Sequence, residues 1–204
     1  MKRWILLGVV VLILGFGVTV LAVKLAQPTV DLRDGATIWI EGNSSLHRYY
    51  LTATRISVAS EMDTSDSKWN TLSSLILNRK GRKLTVKIPV EGLKSGDPDM
   101  DKIAYEKLKS KEFPDIVFTL NDYALKAFPG SLSTYAILAS GKMKIAGVEK
   151  DIVLEATMVI GPGGIKIYGN KDIDQKDYGI SPYSVAVVMT TDNKIVVHYM
   201  IALG

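Results

Sequence analysis

The sequence predicts an all-β protein, an antiparallel sandwich or barrel carrying one short amphipathic helix, with an apolar helix ahead of it at the N-terminus. Three observations predict it. From Ala36 onward, apolar and polar residues alternate with a period of two, as in strands that bury one face. Turn residues interrupt that alternation at short intervals, as they do between the strands of an antiparallel sheet. Residues Trp4 to Val23 form a run of twenty positions in which Thr19 is the one clearly polar side chain.

The N-terminal run comes first in the chain and sets the compartment. Twenty helical residues span a ~30 Å hydrocarbon core, whereas a signal peptide needs an apolar stretch of only about 7–15, so length favours an uncleaved anchor. Val20-Leu21-Ala22 also suits a signal-peptide cleavage site, and Gly8, Gly15 and Gly17 weaken the helix, so both readings stay open. Lys2 and Arg3 hold the N-terminus in the cytoplasm under either one, which places everything after Lys24 in the periplasm or outside the cell. Residues 1–23 read as a signal-anchor or signal peptide, 24–35 as a tether and 36–204 as the working domain. With no cysteine in the chain, that domain must draw its stability from the size of its core.

Alternation marks the strands. Lys83 to Val90 places its apolar residues, the proline apart, on even positions, and Lys142 to Ile145, Asp151 to Met158 and Lys194 to Tyr199 repeat the pattern. Turns are expected at Asn78 to Arg82, Ala146 to Lys150, Gly161 to Gly164 and Asp192-Asn193. One segment breaks the rhythm. Asp97 before Pro98, followed by Asp99 and Asp101, supplies an N-cap, a proline at the first helical position and acids in the first turn, so a helix should follow. Met100, Ile103, Ala104 and Leu108 would form its apolar face, and Phe113-Pro114 would end it before a strand from Asp115 to Leu120.

Composition excludes most enzyme chemistry. The 204 residues are 47% hydrophobic and 23% charged, the balance of a globular protein with one core. Absence of cysteine removes zinc ribbons and thiol nucleophiles, and two histidines leave little for a His-based site. A net charge of +4 from 25 basic and 21 acidic residues does not indicate nucleic acid. Asp97, Asp99 and Asp101 open like a calcium loop, but Lys102 stands where glycine is needed and Leu108 where glutamate is, which leaves helix capping. Asp172, Asp174 and Asp177 fail the same template and read as an exposed acidic loop. Gly42-Asn43-Ser44-Ser45-Leu46 lacks the second glycine of a nucleophile elbow. His47 and His198 have no ligand spacing, and Arg79 to Lys83 reads as a solvated hairpin tip or a contact for anionic headgroups.

Several segments together resemble the YceI family of exported, polyisoprenoid-binding-like proteins. They are Ser44-Ser45-Leu46-His47, Val90 to Gly96 leading into Asp99-Met100-Asp101, Leu108 to Phe118, Gly141 to Leu154, and Asp174 to Ile180. The resemblance implies a lipocalin-like barrel of about eight antiparallel strands, a size that is either filled by side chains or able to hold one slender ligand. It further implies a non-catalytic protein that sequesters or carries an isoprenoid lipid, polyprenyl or quinone-like, with no cofactor, metal or nucleic-acid partner and with a homo-oligomer left open. In such a barrel the candidate lining is Leu84, Val86, Ile88, Phe118, Leu120, Ile152, Leu154 and Met158, joined by Ile103 and Leu108 of the helix. His47 and Tyr178 are the candidate headgroup contacts. The same aliphatic residues could instead fill the barrel, giving a structural or interaction protein of the cell envelope with a role in stress.

Overall fold

Alternating side chains need a partner layer, and here the sheet supplies it by curling on itself. The computed structural model describes residues 36–61, 83–185 and 189–203. The strands are β1 (Thr37–Ser44), β2 (Arg48–Ala53), β3 (Ser57–Glu61), β4 (Lys83–Pro89), β5 (Leu93–Lys94), β6 (Asp115–Ala127), β7 (Thr134–Ile145), β8 (Val148–Gly161), β9 (Gly164–Asp174), β10 (Ser184–Val185) and β11 (Met189–Leu203). The helix α1 (Pro98–Lys107) lies between β5 and β6. One antiparallel sheet runs in the order β3-β4-β6-β7-β8-β9-β11-β1-β2-β5, with β10 pairing β11 off this path.

Connectivity shows how far the sheet curls. Thr54 to Ile56 joins β2, near one margin, to β3, at the other, and Val90–Gly92 carries the chain back from β4 to β5. Each link has three residues, so it spans at most about 14 Å. Thr54 ties the links together, its amide and its hydroxyl each donating to the Gly92 carbonyl at 2.8 Å. The result is a strongly curled half-barrel whose margins approach where these links cross.

The expected all-β antiparallel class holds, while the path of ten strands exceeds the expected eight because the short β2, β3 and β5 extend the margins. Ala146-Gly147 forms the β7–β8 turn with φ of 48° and 86°, and the expected turn at Gly161 to Gly164 joins β8 to β9. Two expectations need correction. Asp192-Asn193 lies inside β11, held extended by tertiary partners: Gln175 Nε2 donates to the Asp192 carbonyl at 2.9 Å, and Asn193 Oδ1 accepts from the Lys176 amide at 3.0 Å. Asp172, Asp174 and Asp177 are not a loop; the first two end β9, and Asp177 sits in the short helical turn Gln175–Tyr178, paired with Lys150 at 2.9 Å.

The strand from Asp115 runs on to Ala127 because a bulge at Asn121 resets its phase, moving the half-buried set from Phe118 and Leu120 to Tyr123 and Leu125. The apolar run 4–23, the tether 24–35 and the segment Arg79–Arg82 lie outside the described residues. Among the described residues no helix is long and apolar enough to cross a membrane.

Candidate functional site

Inward-facing residues of every long strand meet on the concave side in two apolar clusters. The first gathers Ile40, Leu51, Ile116, Ile145, Ile152 and Ile173 under Val90 and Leu93, and α1 packs on it through Met100, Ala104, Tyr105 and Leu108. The second, toward the β6–β7 and β8–β9 turns, is built on Ile137, Met158 and Ile165, with Tyr123, Leu125, Tyr135 and Ile167 around them.

The candidate lining residues divide between these regions. Ile88, Leu108, Phe118, Ile152 and Leu154 belong to the first cluster, and Met158 to the second. Leu84, Val86 and Leu120 are half-buried on the same face, since Leu84 pairs with Leu120, Leu120 with Gly141 and Gly141 with Ile152. Ile103 is half-buried outside the cluster, and Tyr105 takes the place expected for it. The sequence reading missed Tyr105 because its ring packs inward while its hydroxyl serves a polar latch.

That latch fixes the helix. Asp97 caps α1, its Oδ1 accepting from the amides of Asp99 at 2.9 Å and Met100 at 3.3 Å, as the capping pattern predicts. Asp101, buried beneath, accepts from the Ser95 amide and hydroxyl at 2.7 Å each and faces Lys94 Nζ at 3.5 Å. Lys94 also donates to the Tyr105 hydroxyl at 2.6 Å, and that hydroxyl donates to the Leu93 carbonyl at 2.8 Å. Burial opposes the charge on Asp101, but Ser95 and Lys94 together outweigh it and hold the carboxyl below its usual range.

Asp101→Ala leaves the Ser95 amide unpaired and is expected to cost about 2 kcal/mol. Amide protons of α1 should then exchange faster while those of the β7–β8 ladder are unchanged; equal acceleration in both would refute a latch specific to the helix. A depressed carboxyl adds stability that is present above its unfolded pKa and lost as pH falls through the folded one, so the latch should loosen in acid below the ordinary carboxyl value of 3.8.

Glycines shape the floor of the concave face. Gly42, Gly141 and Gly169 each lie under an aromatic ring, of Tyr49, Phe118 and Tyr199 respectively, and Gly147 in the β7–β8 turn lies under the ring of Phe113. Without a Cβ beneath them the rings can approach the backbone closely. Tyr199 pairs with Gly169 across β11 and β9, and its hydroxyl donates to the Glu155 carbonyl at 2.7 Å.

Burial first and the Glu155 charge second push the Tyr199 hydroxyl up to about 12. Below the ordinary value of 10.0 the phenol is neutral in both folded and unfolded chains. Between there and about 12 only the unfolded chain ionises, so stability falls as pH rises, by at most about 3 kcal/mol in full. Tyr199→Phe should flatten this alkaline decline in urea-melt midpoints; profiles parallel to wild type would assign the titration elsewhere.

Polar groups are sparse on this face. Lys171 stands in the inward phase between Gly169 and Ile173, half-buried and without an ion-pair partner among the described residues. Lys150, in the same phase, lies at the rim in its pair with Asp177. Lys171 was legible from the odd-numbered run Ile165, Ile167, Gly169, Ile173, a signal not followed along β9.

Of the candidate headgroup residues, His47 is exposed in the β1–β2 turn and Tyr178 is buried in the first cluster at 4% exposure. Burial, with Asp177 nearby, raises the Tyr178 hydroxyl pKa. The two share one end of the sheet, His47 in water and Tyr178 in the core. His198 faces the convex side, stacked on Trp39 with ring centroids 4.7 Å apart and 3.2 Å from Glu41 Oε2, which also meets Arg48 at 3.1 Å through Oε1.

Solved structures share this fold. BcnA of Burkholderia cenocepacia is 12% identical with a TM-score of 0.63, covering 85% of this chain and 100% of its own. A polyisoprenoid binding domain from Saccharophagus degradans, implicated in plant cell wall breakdown, is 8% identical with a TM-score of 0.59, covering 86% and 98%. A mutant of the Campylobacter jejuni YCEI protein is 22% identical with a TM-score of 0.50, covering 80% and 84%. Among curated proteins none matches the chain. The sequence profile of the YceI-like domain matches residues 47–202, from the β1–β2 turn to the end of β11, and the chain belongs to that family.

Proposed function

We propose that the chain is an exported, membrane-tethered, non-catalytic protein that holds an isoprenoid lipid, polyprenyl or quinone-like, within a lipocalin-like barrel formed by the curled sheet. The observation that carries this reading is the concave apolar face running through both clusters, with α1 packed on the first and no described helix packed on the second. A neighbour of the same fold is described as a polyisoprenoid binding domain, which favours this ligand class.

The energetics fit an apolar chain. Each buried methylene contributes at most about 0.8 kcal/mol, so several isoprene units outweigh an ordering cost of several kcal/mol without a polar site. Selection would then follow the length and shape of the interior, with Leu84, Val86, Ile88, Phe118, Leu120, Ile152, Leu154 and Met158 as its wall. Lys171 offers a positive charge to the polar end of a ligand, its stem lying along the apolar wall. The apolar run 4–23 would keep the site beside its lipid source.

Native mass spectrometry of the full chain released from detergent, with organic extraction of what it carries, tests the reading. A stoichiometric isoprenoid is expected. Protein that is empty and takes up neither added quinone nor added polyprenyl lipid would replace it with a filled barrel acting through its surface.

A further inference from the structure

The turn between β6 and β7 holds apolar side chains out into water. Leu132 is 97% exposed and Phe128 43%, beside the exposed Pro129. Apolar residues exposed singly are ordinary on protein surfaces, whereas a contiguous exposed apolar patch marks a contact surface and needs a backbone built to hold it together. Here it is built. The Phe128 amide donates to the Thr134 carbonyl at 3.0 Å, the Ser131 amide to the Phe128 carbonyl at 3.1 Å, and the Tyr135 hydroxyl to the Leu132 carbonyl at 3.3 Å. Ser131 Oγ accepts from the amides of Ser133 at 3.3 Å and Thr134 at 3.1 Å, and Gly130 takes the φ of 75° that closes the turn. The Ile160 amide, donating to the Ser133 carbonyl at 2.8 Å, fastens this turn to the neighbouring β8 strand. Backbone groups satisfied internally can enter a region poor in water at little cost.

Charge and chain direction point the same way. Residues 126–136 and 157–167, which form the β6–β7 and β8–β9 tips, contain no acidic residue and carry Lys126 and Lys166, both exposed. The opposite end of the sheet mixes both signs, Asp97, Asp99, Glu149, Asp151 and Asp177 standing among Lys102, Lys142, Lys144, Lys150 and Lys176, so an end free of acids is particular to these two tips. By strand direction, β1 begins at the end where β6 turns into β7. The twelve residues 24–35 between the apolar run and the domain reach at most about 40 Å, so an anchored chain brings this end toward the bilayer.

We propose that the β6–β7 turn, from Phe128 to Ser133, is a membrane-contacting edge: Leu132 and Phe128 enter the interface of a bilayer with anionic headgroups, flanked by Lys126 and Lys166. This seats the second apolar cluster, just inside the same end, against the lipid phase, and it rests on the tethering part of the proposed function.

Because the chain has no cysteine, one introduced thiol reports one position. The full chain with Leu132→Cys carries a nitrobenzoxadiazole label and is reconstituted into vesicles of phosphatidylethanolamine and phosphatidylglycerol. Glu149→Cys, exposed at the far end, is labelled as the comparison. Leu132 packs on nothing, so its replacement leaves the fold intact. In chains that float with the vesicles, emission from position 132 is expected to shift to the blue and to be quenched by bromine-bearing lipids, with position 149 water-like. Water-like emission at both positions in floating chains overturns the proposal while leaving tethering in place. A shift that grows with protein density in the vesicle also overturns it, in favour of contact between copies. Chains that fail to float remove the tethering reading and the proposal with it. Mass spectrometry of the same labelled sample reports lipid carriage separately, so an empty chain with a blue-shifted position 132 supports the edge while refuting the carrier.

Discussion

Leu154→Arg is expected to abolish lipid binding or unfold the domain. Leu154 faces the concave side, paired with Ala139 of β7 and packed against the first cluster. Replacing it removes apolar contacts and puts a guanidinium against an apolar cluster, a loss of about 3 kcal/mol or more. Repulsion adds to the cost. Glu155 pairs with Asn170, so position 154 and Lys171 are the next residues on adjacent strands and share the inward face. Lys144→Glu is the counterpart. Lys144 is exposed on the convex side opposite Glu149, so the change sets two carboxylates across a strand pair and should cost at most about 1 kcal/mol. Urea melts read the stabilities, and mass spectrometry of the purified protein reads bound lipid. A folded Leu154→Arg protein that carries stoichiometric lipid would show that the ligand does not lie on this face.

Gly169→Val should be nearly as damaging although it adds only apolar atoms. A Cβ at Gly169 would strike the Glu155 carbonyl and the Tyr199 ring, whose nearest atoms lie 2.8 Å away. The carbonyl belongs to the β8–β9 ladder and cannot yield without breaking it, while the ring can yield only by giving up its hydrogen bond to Glu155. Overpacking and the lost bond together predict about 2–4 kcal/mol, a melting temperature lower by about 10 °C. Gly161→Val in the same hairpin is the control, since a Cβ there meets nothing within 4 Å. Equal losses at the two positions would mean that β propensity or backbone entropy, and not the ring over Gly169, sets the requirement for glycine.

Much of the fold was legible because its signals are local. The period of two assigned the faces of β4, β7, β8 and β11, and Asp97-Pro98 located the start of α1 to the residue. The turn at Ala146-Gly147 and the one after Gly161 were read from the residue types that tolerate positive φ or initiate a turn. Errors arose where a distant partner overrides a local preference. Asp192-Asn193 has turn chemistry, yet the side chains and backbone of the Gln175–Tyr178 turn hold it straight. Tyr105 displaced Ile103 on the buried face because Lys94 and Leu93, from another element, satisfy its hydroxyl. The strand expected to stop at Leu120 continues because a bulge at Asn121 breaks the alternation without breaking the pairing.

The sequence by itself determined the class of the protein: strand content, the faces that β4, β7, β8 and β11 bury, the capped helix, the apolar N-terminal run and the absence of thiol chemistry, since each is set by neighbours within a few positions. Only the tertiary structure decided which strands meet, how the three-residue links draw the margins together, that four glycines lie beneath aromatic rings, and that Lys171 stands among the apolar walls without an ion-pair partner among the described residues. Those features depend on register and curvature across ten strands, where one shifted pairing would turn every side chain of a strand to the other face.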